Sequence, residues 1–221
     1  MKEKKALCIC ASDLKNGKKE GISRRICRTL EDNQTKKGIS ARTVDLRDFS
    51  LNPCNECGRC FQEQRCVQDE DFNRIYDQIL EADYLFFVSS HQAPVPARLC
   101  MLLEKMERLA AFQRQKEASG RPELWGKLAG IISHAGGGER ELMICKAMVN
   151  DTIADALERV GVKVVPFNSR WNTGISLAAA YKEAEKGTFP VLEYDWEQIA
   201  EKTGMYVEIV VQTSRTLYAI L

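Results

Sequence analysis

Apolar positions along the 221-residue chain follow two alternating rhythms. Short continuous apolar runs that end in polar or glycine-bearing turns predict buried strands, and apolar residues spaced three and four apart predict helices. Five strands are expected on this basis: "KALCICAS" (5–12), "ISARTVDLRD" (39–48), "ADYLFFVSS" (82–90), one that opens "GKLAGIISHAGGGER" (126–140) and runs into a glycine loop, and "GVKVVPF" (161–167). Helical spacing falls between them. Ile22, Ile26, Cys27 and Leu30 form one stripe, and Phe72, Ile75, Tyr76, Ile79 and Leu80 a second, which Asp69 or Asp71 can cap. Leu99, Leu102, Leu103, Met106 and Leu109 form a third, and a fourth helix is expected over 141–160.

Strand and helix alternate with short connections, the pattern of a parallel sheet covered on both faces: a three-layer α/β/α sandwich. Residues 1–167 complete that pattern as one domain. Residues 168–221 are less regular, with an expected helix at "SLAAAYKEAEKG", a second candidate at "DWEQIAEKTG" and an apolar stretch, "MYVEIVVQT". They read as an extension of the same domain or as an oligomer contact.

Composition narrows the function. The chain is 44% hydrophobic and 29% charged with a net charge of +1, and the two signs are interleaved. No basic face suited to phosphate-backbone binding stands out, so nucleic acid is not expected as a partner. No apolar run reaches the length of a membrane span and Met1–Lys5 does not open a secretory signal, so no membrane association and a cytoplasmic location are expected. Nine cysteines in a reducing compartment are not a disulfide framework. Cys8, Cys10, Cys27, Cys100 and Cys145 lie in apolar or helical patterns and read as small buried hydrophobes.

In parallel sheets, ligands bind beyond the carboxyl ends of the strands. Three strand-to-helix loops are candidates there. The first offers Ser12, Lys15, Asn16, Gly17, Lys18 and Lys19 ahead of a helix N-terminus, a setting suited to phosphate. Lys18, Lys19, Arg24 and Arg25 are also compatible with a solvated face. The second presents Ser89, Ser90, His91, Gln92 and Ala93. The third carries His134 and the consecutive Gly136, Gly137 and Gly138, which allow close approach of backbone to a flat ligand. Neither a Walker nor a Rossmann fingerprint is present.

The fourth candidate is "PCNECGRCFQEQRCVQDED" (53–71), which packs Cys54, Cys57, Cys60 and Cys66 into thirteen positions. Three thiolates in one tight C-x-x-C-x-x-C loop, followed by a fourth, favour an iron-sulfur cluster; structural zinc more often takes two separated pairs. Zinc, and thiols that hold no metal, remain open on the residues alone.

Together these loops resemble the flavodoxin-like NAD(P)H-dependent FMN reductases, in particular the branch that includes the iron-sulfur flavoproteins. Pro53–Asp71 matches that branch's P-C-x-x-C-x-x-C-(few)-C-x-x-x-D-D segment, "SSHQAPVPARLC" aligns with its second loop, and Gly136–Gly138 with its glycine loop. The first loop departs most, with Ala11 in place of a glycine and Lys18 and Lys19 in place of small polar residues. The resemblance implies a five-stranded parallel sheet of order 2-1-3-4-5 and FMN held by the three loops. It also implies a 4Fe-4S cluster on the four cysteines, a nicotinamide or similar donor, an unidentified acceptor, and a homo-oligomer (dimer or tetramer). The expected activity is an oxidoreductase that moves electrons between donor and acceptor through flavin and cluster. Two alternatives are an FMN-only flavin or quinone reductase with vestigial cysteines and a non-catalytic, zinc-binding or thiol-sensing module.

Overall fold

The computed structural model describes residues 3–12, 21–92, 94–182 and 191–220. Lys15, Asn16, Gly17, Lys18, Lys19 and Ala93 lie outside them. Strand β1 (Lys5–Ala11) sits between β2 (Ser40–Asp45) and β3 (Tyr84–Ser90), and β4 (Leu128–Gly136) pairs with β3; all of these pairings are parallel. β1 from Ala6 onward and the whole of β3 are buried, as continuous apolar strands covered on both faces must be.

The pleat divides the core in two. Leu7, Ile9 and Ala11 point to one layer, against α3 (Glu70–Glu81), α4 (Ala97–Lys116), α5 (Glu139–Cys145) and α6 (Asp151–Arg159). Ala6, Cys8 and Cys10 point to the other, against α1 (Ile22–Thr35) and α7 (Trp196–Ile220). A short helix, α2 (Cys60–Glu63), lies within the cysteine segment, and a π-helical turn, Lys146–Asn150, joins α5 to α6.

The far side of the sheet differs from the expected five parallel strands. The fifth position is shared by two pieces: β5 (Lys163–Val164) pairs with Leu128 and Ala129, and β6 (Ile175–Lys182) pairs with Ile132 to Gly136. A short β7 (Val191–Glu193) then adds antiparallel to β6, so the order runs β2-β1-β3-β4-β6-β7. The break between the two pieces is sealed from α7. The Tyr206 hydroxyl accepts from Ile131 N (3.2 Å) and donates to Val165 O (2.6 Å), which replaces ladder partners that the interruption removes. Gly174, at φ +114°, brings the chain back into the sheet where a Cβ would stand 2.1 Å from Ile131 O.

One sequence expectation fails in this region, and the apolar stretch left unassigned finds its element. "SLAAAYK" is strand, because its pairing with β4 outweighs the helix propensity of its alanines and lysine. "MYVEIVVQT" falls inside α7, with Tyr206, Val207, Val210, Val211 and Ser214 buried at helical spacing.

Candidate functional site

The cysteine segment leaves β2 through a turn in which the Asp45 carboxylate accepts from Arg47 N (3.1 Å), Nε (3.0 Å) and the terminal guanidinium nitrogen (2.6 Å). Its base is closed by one carboxylate. Asp69 caps α3 by accepting from Phe72 N (2.9 Å), accepts from Asn52 N (2.9 Å), and pairs with the Lys105 ammonium, which also donates to Asn52 O. Both side chains are almost fully buried, Lys105 at 5% and Asp69 at 2% exposure. Burial pushes the Asp69 carboxyl up, but Lys105 and the Asn52 and Phe72 N–H groups outweigh it and hold the carboxyl below its ordinary value. Residues seventeen apart in sequence are thus tied to each other and to α4.

Further bonds fix the loop. Cys54 N donates to Glu104 (3.0 Å); Asn73 accepts from Cys66 N (3.0 Å) and donates to Cys66 O (2.8 Å); Arg108 pairs with Glu56. Phe61 packs edge-on against Phe112 at 5.3 Å. Among the described residues the non-glycine positions with left-handed backbone are Glu56 (φ 55°) and Gln64 (φ 56°), both between the first and fourth cysteines, with Gly58 (φ 70°) between them. Such conformations persist where surroundings over-determine them, and they concentrate at ligand clamps.

This folding brings Cys54, Cys57, Cys60 and Cys66 onto one cavity of about 380 Å³, walled by Phe72, Lys105, Arg108, Leu109 and Phe112 of α3 and α4. Cys57 is exposed and the other three are half-buried. Burial pushes the Cys60 thiol up, and the nearby Cys54, Cys57 and Cys66 push it further, so the four sulfurs are electrostatic neighbours. Among the described residues no three His, Cys, Asp or Glu side chains are gathered tightly enough to hold a single metal ion. The donor chemistry, four thiols around one space with two cations in its wall, fits a polynuclear anionic cluster.

The sheet edge next to this cavity holds the other candidates. Ser90 Oγ donates to Gln92 Oε1 (3.1 Å), Gln92 N to Pro94 O (3.0 Å) and His91 N to His134 O (3.3 Å), which fixes the turn after β3. Ser89 is buried and donates back to Ser90 O (3.0 Å), His91 is exposed, and Ser12 is half-buried at the end of β1. Beyond the turn, Pro53, Gln92, Val95, Pro96, Ala97, Cys100, Met101 and Glu104 line an open groove of about 740 Å³. Pro53 walls both this groove and the cysteine cavity. Cys100 is exposed here rather than buried, because it lies off the Leu99–Leu102–Leu103–Met106 stripe of α4.

On the β4 side the structure assigns the candidates differently from the sequence. His134 turns toward α1, where Nε2 meets Ser23 Oγ (2.7 Å) and Nδ1 meets the Tyr194 hydroxyl (3.0 Å), and burial pushes its pKa down to about 4. It is a neutral strut between Ser23 at the start of α1 and Tyr194. Gly136 faces the protein's own Leu192 and Tyr181, within 2.4 and 2.8 Å of where a Cβ would be. Gly137 (φ +126°) lies against Glu141, whose carboxylate accepts from Gly138 N (2.9 Å) and caps α5. These glycines therefore admit the chain's own side chains.

Lys105, Arg108 and Glu104 did not emerge from the sequence. Lys105 left one trace: it sits three residues beyond Leu102 on the apolar stripe of α4, where a lysine is buried and therefore paired.

Comparison with known proteins completes the picture. A family model described as NADPH-dependent FMN reductase matches residues 5–167. An iron-sulfur flavoprotein of Methanocaldococcus jannaschii is 29% identical over 103 residues, 46% of this chain and 53% of its own length. An iron-sulfur flavoprotein of Methanosarcina thermophila is 26% identical over 136 residues, 61% of this chain and 65% of its own. The matched region thus spans less than two thirds of either relative. Among solved structures, RosB, determined with bound 8-demethyl-8-formylriboflavin-5'-phosphate, superposes at TM-score 0.63 with 17% identity, covering 98% of this chain and 81% of RosB. A Streptococcus pneumoniae flavodoxin superposes at TM-score 0.52 with 13% identity, covering 95% and 99%. Those identities speak for the fold alone, which is flavodoxin-like. With the family match extending over most of the sheet and the whole cysteine segment, the chain belongs to the NADPH-dependent FMN reductase family.

Proposed function

We propose that this chain is an FMN-dependent oxidoreductase that passes electrons from a reduced nicotinamide or similar donor to an acceptor through a 4Fe-4S cluster on Cys54, Cys57, Cys60 and Cys66. The observation that carries the reading is that all four thiols line one cavity and that Pro53, the residue before Cys54, also walls the groove beside the β3 loop. The names of the two curated relatives support it.

Bound FMN would supply two-electron hydride acceptance and a bound cluster single-electron transfer, so together they would couple two-electron to one-electron chemistry. The chain supplies position and environment. Gln92, Val95 and Pro96 are the described residues suited to hold a flavin ring, with Ser90 fixing Gln92. The phosphate would fall to the loop that opens at Ser12, in front of α1, whose start His134 braces through Ser23. Asp69 and Lys105 keep the two ends of the cysteine segment together, and Phe72, Leu109 and Phe112 shield the cavity on the protein side. A homo-oligomer belongs to this reading, and light scattering on the purified chain tests it.

Protein prepared and reconstituted anaerobically should hold about four iron and four sulfide per chain together with FMN. Replacing Cys57 and Cys60 by Ser should abolish iron and transfer to one-electron acceptors while leaving FMN bound. Full one-electron transfer in that variant would favour the FMN-only reductase, and zinc with neither iron nor flavin would favour the thiol-sensing module.

A further inference from the structure

We propose that Arg108 and Glu56 form an opposed charge pair that sets the reduction potential of the cluster in the cysteine cavity. The inference rests on the cluster reading given above and assigns roles to two residues that reading does not use.

Both side chains line the cavity, and they are paired to each other from different elements: Arg108 stands on α4, and Glu56 lies between Cys54 and Cys57. Glu56 is held in the left-handed backbone region at φ 55°, a conformation that non-glycine residues adopt only where the surroundings impose it. The strained position is the one that carries the carboxylate to Arg108. The other cation of the wall, Lys105, is already committed to Asp69 and to Asn52 O at the base of the loop and is buried. Arg108 and Glu56 are more open, at 41% and 74% side-chain exposure. An exposed ion pair adds little to stability, so fold maintenance does not account for the arrangement. Its charges, though, fall beside the space that would take up an electron, and charge near a cluster shifts its potential.

The two members act in opposite directions. A reduced cluster is more negative than an oxidised one, so Arg108 favours the reduced state and Glu56 opposes it. Removing the cation makes reduction harder and the potential more negative. Removing the carboxylate uncovers the cation and makes the potential more positive. Losing both returns it toward the starting value. A merely structural pair moves neither potential in this antisymmetric way. Because the pair is solvent-exposed, added salt should shrink both shifts.

The test is an anaerobic redox titration of the reconstituted full-length protein, followed by electron paramagnetic resonance, after iron and sulfide have been counted. R108Q should shift the midpoint negative, E56Q should shift it positive, the double variant should fall between them, and R108K should stay near wild type. Coincident midpoints, or singles that move in the same direction, overturn the inference while leaving the cluster in place. If R108Q fails to retain iron, E56Q decides alone: a midpoint at or below wild type overturns the inference. A wild-type protein that takes up no iron or sulfide overturns the cluster reading and this inference with it.

Discussion

Two populations of thiols share this chain and behave as different chemistry. Cys8, Cys10 and Cys27 lie in the core between β1 and α1, and Cys145 ends α5 with its side chain in the core; all four are fully buried. Burial pushes the Cys8, Cys27 and Cys145 thiols up from their ordinary value because the low-dielectric core disfavours thiolate. Cys54, Cys57, Cys60 and Cys66 sit instead on a loop that lines an open cavity, exposed or half-buried, with Lys105 and Arg108 in the same wall. The same side chain is a space-filling group in one place and a ligand candidate in the other. What separates them is whether water or a ligand can reach the sulfur. His134 follows the core rule: burial holds it neutral between Ser23 and Tyr194.

The largest expected effect tests what keeps the loop thiols convergent. Lys105→Met leaves Asp69 buried without its cation, and breaking such a pair costs about 3–5 kcal/mol. Urea denaturation should show that loss, with part of it recovered in Lys105→Met combined with Asp69→Asn. An unchanged midpoint would mean that the loop base is held by something other than this pair.

Next in size is the core rule read through pH. His134 has a folded pKa of about 4 against an ordinary 6.5, so the unfolded chain takes its proton first. Its contribution is fully present above pH 6.5 and is lost as the pH falls from 6.5 toward 4, by about 3 kcal/mol in all. Below that window the loss passes to Asp45, Asp69 and Asp83, which Arg47, Lys105 and Lys4 hold below their ordinary value against burial. Stability curves from pH 7 to 4 should therefore be flatter for His134→Gln than for the native chain.

A smaller pair of substitutions separates the two thiol sets directly. Cys27→Ser places a hydroxyl in the core at a cost of about 1–3 kcal/mol and should leave metal uptake unchanged. Cys57→Ser, at an exposed position, should change stability by no more than about 0.5 kcal/mol and abolish iron retention. The contrast fails if the first variant loses iron or the second unfolds.

The smallest effect is kinetic. In metal-free protein at neutral pH, iodoacetamide should modify the loop thiols and Cys100, while Cys8, Cys10, Cys27 and Cys145 react only after unfolding. Mass mapping of the modified peptides reads this out, and early labelling of Cys8 would contradict the buried assignment.

The parts that could be read along the chain are those written locally. β1, β3 and β4 are continuous apolar runs; Asp69, one of two cap candidates in the sequence, caps α3; and the four cysteines fall within one short segment. The misread parts depend on partners far away in sequence. "SLAAAYK" carries helix formers and becomes strand through pairing with β4 some forty residues earlier, as in Ser133 with Ser176. His134 was a candidate for the flavin edge, and its tie to Ser23, 111 residues away, turned it into a strut.

The sequence by itself determined the alternating strands and helices, the location of the cysteine segment after β2, and the crowding of four thiols there, because periodicity and spacing are properties of neighbouring residues. Only the tertiary structure decided that Lys105 and Asp69, 36 residues apart, close that segment, that Arg108 faces the loop residue Glu56 from α4, and that Tyr206 seals an interrupted fifth strand. Those choices follow from burial: a charge or backbone amide taken from water must find a partner, and which partner is near is settled only when the layers pack.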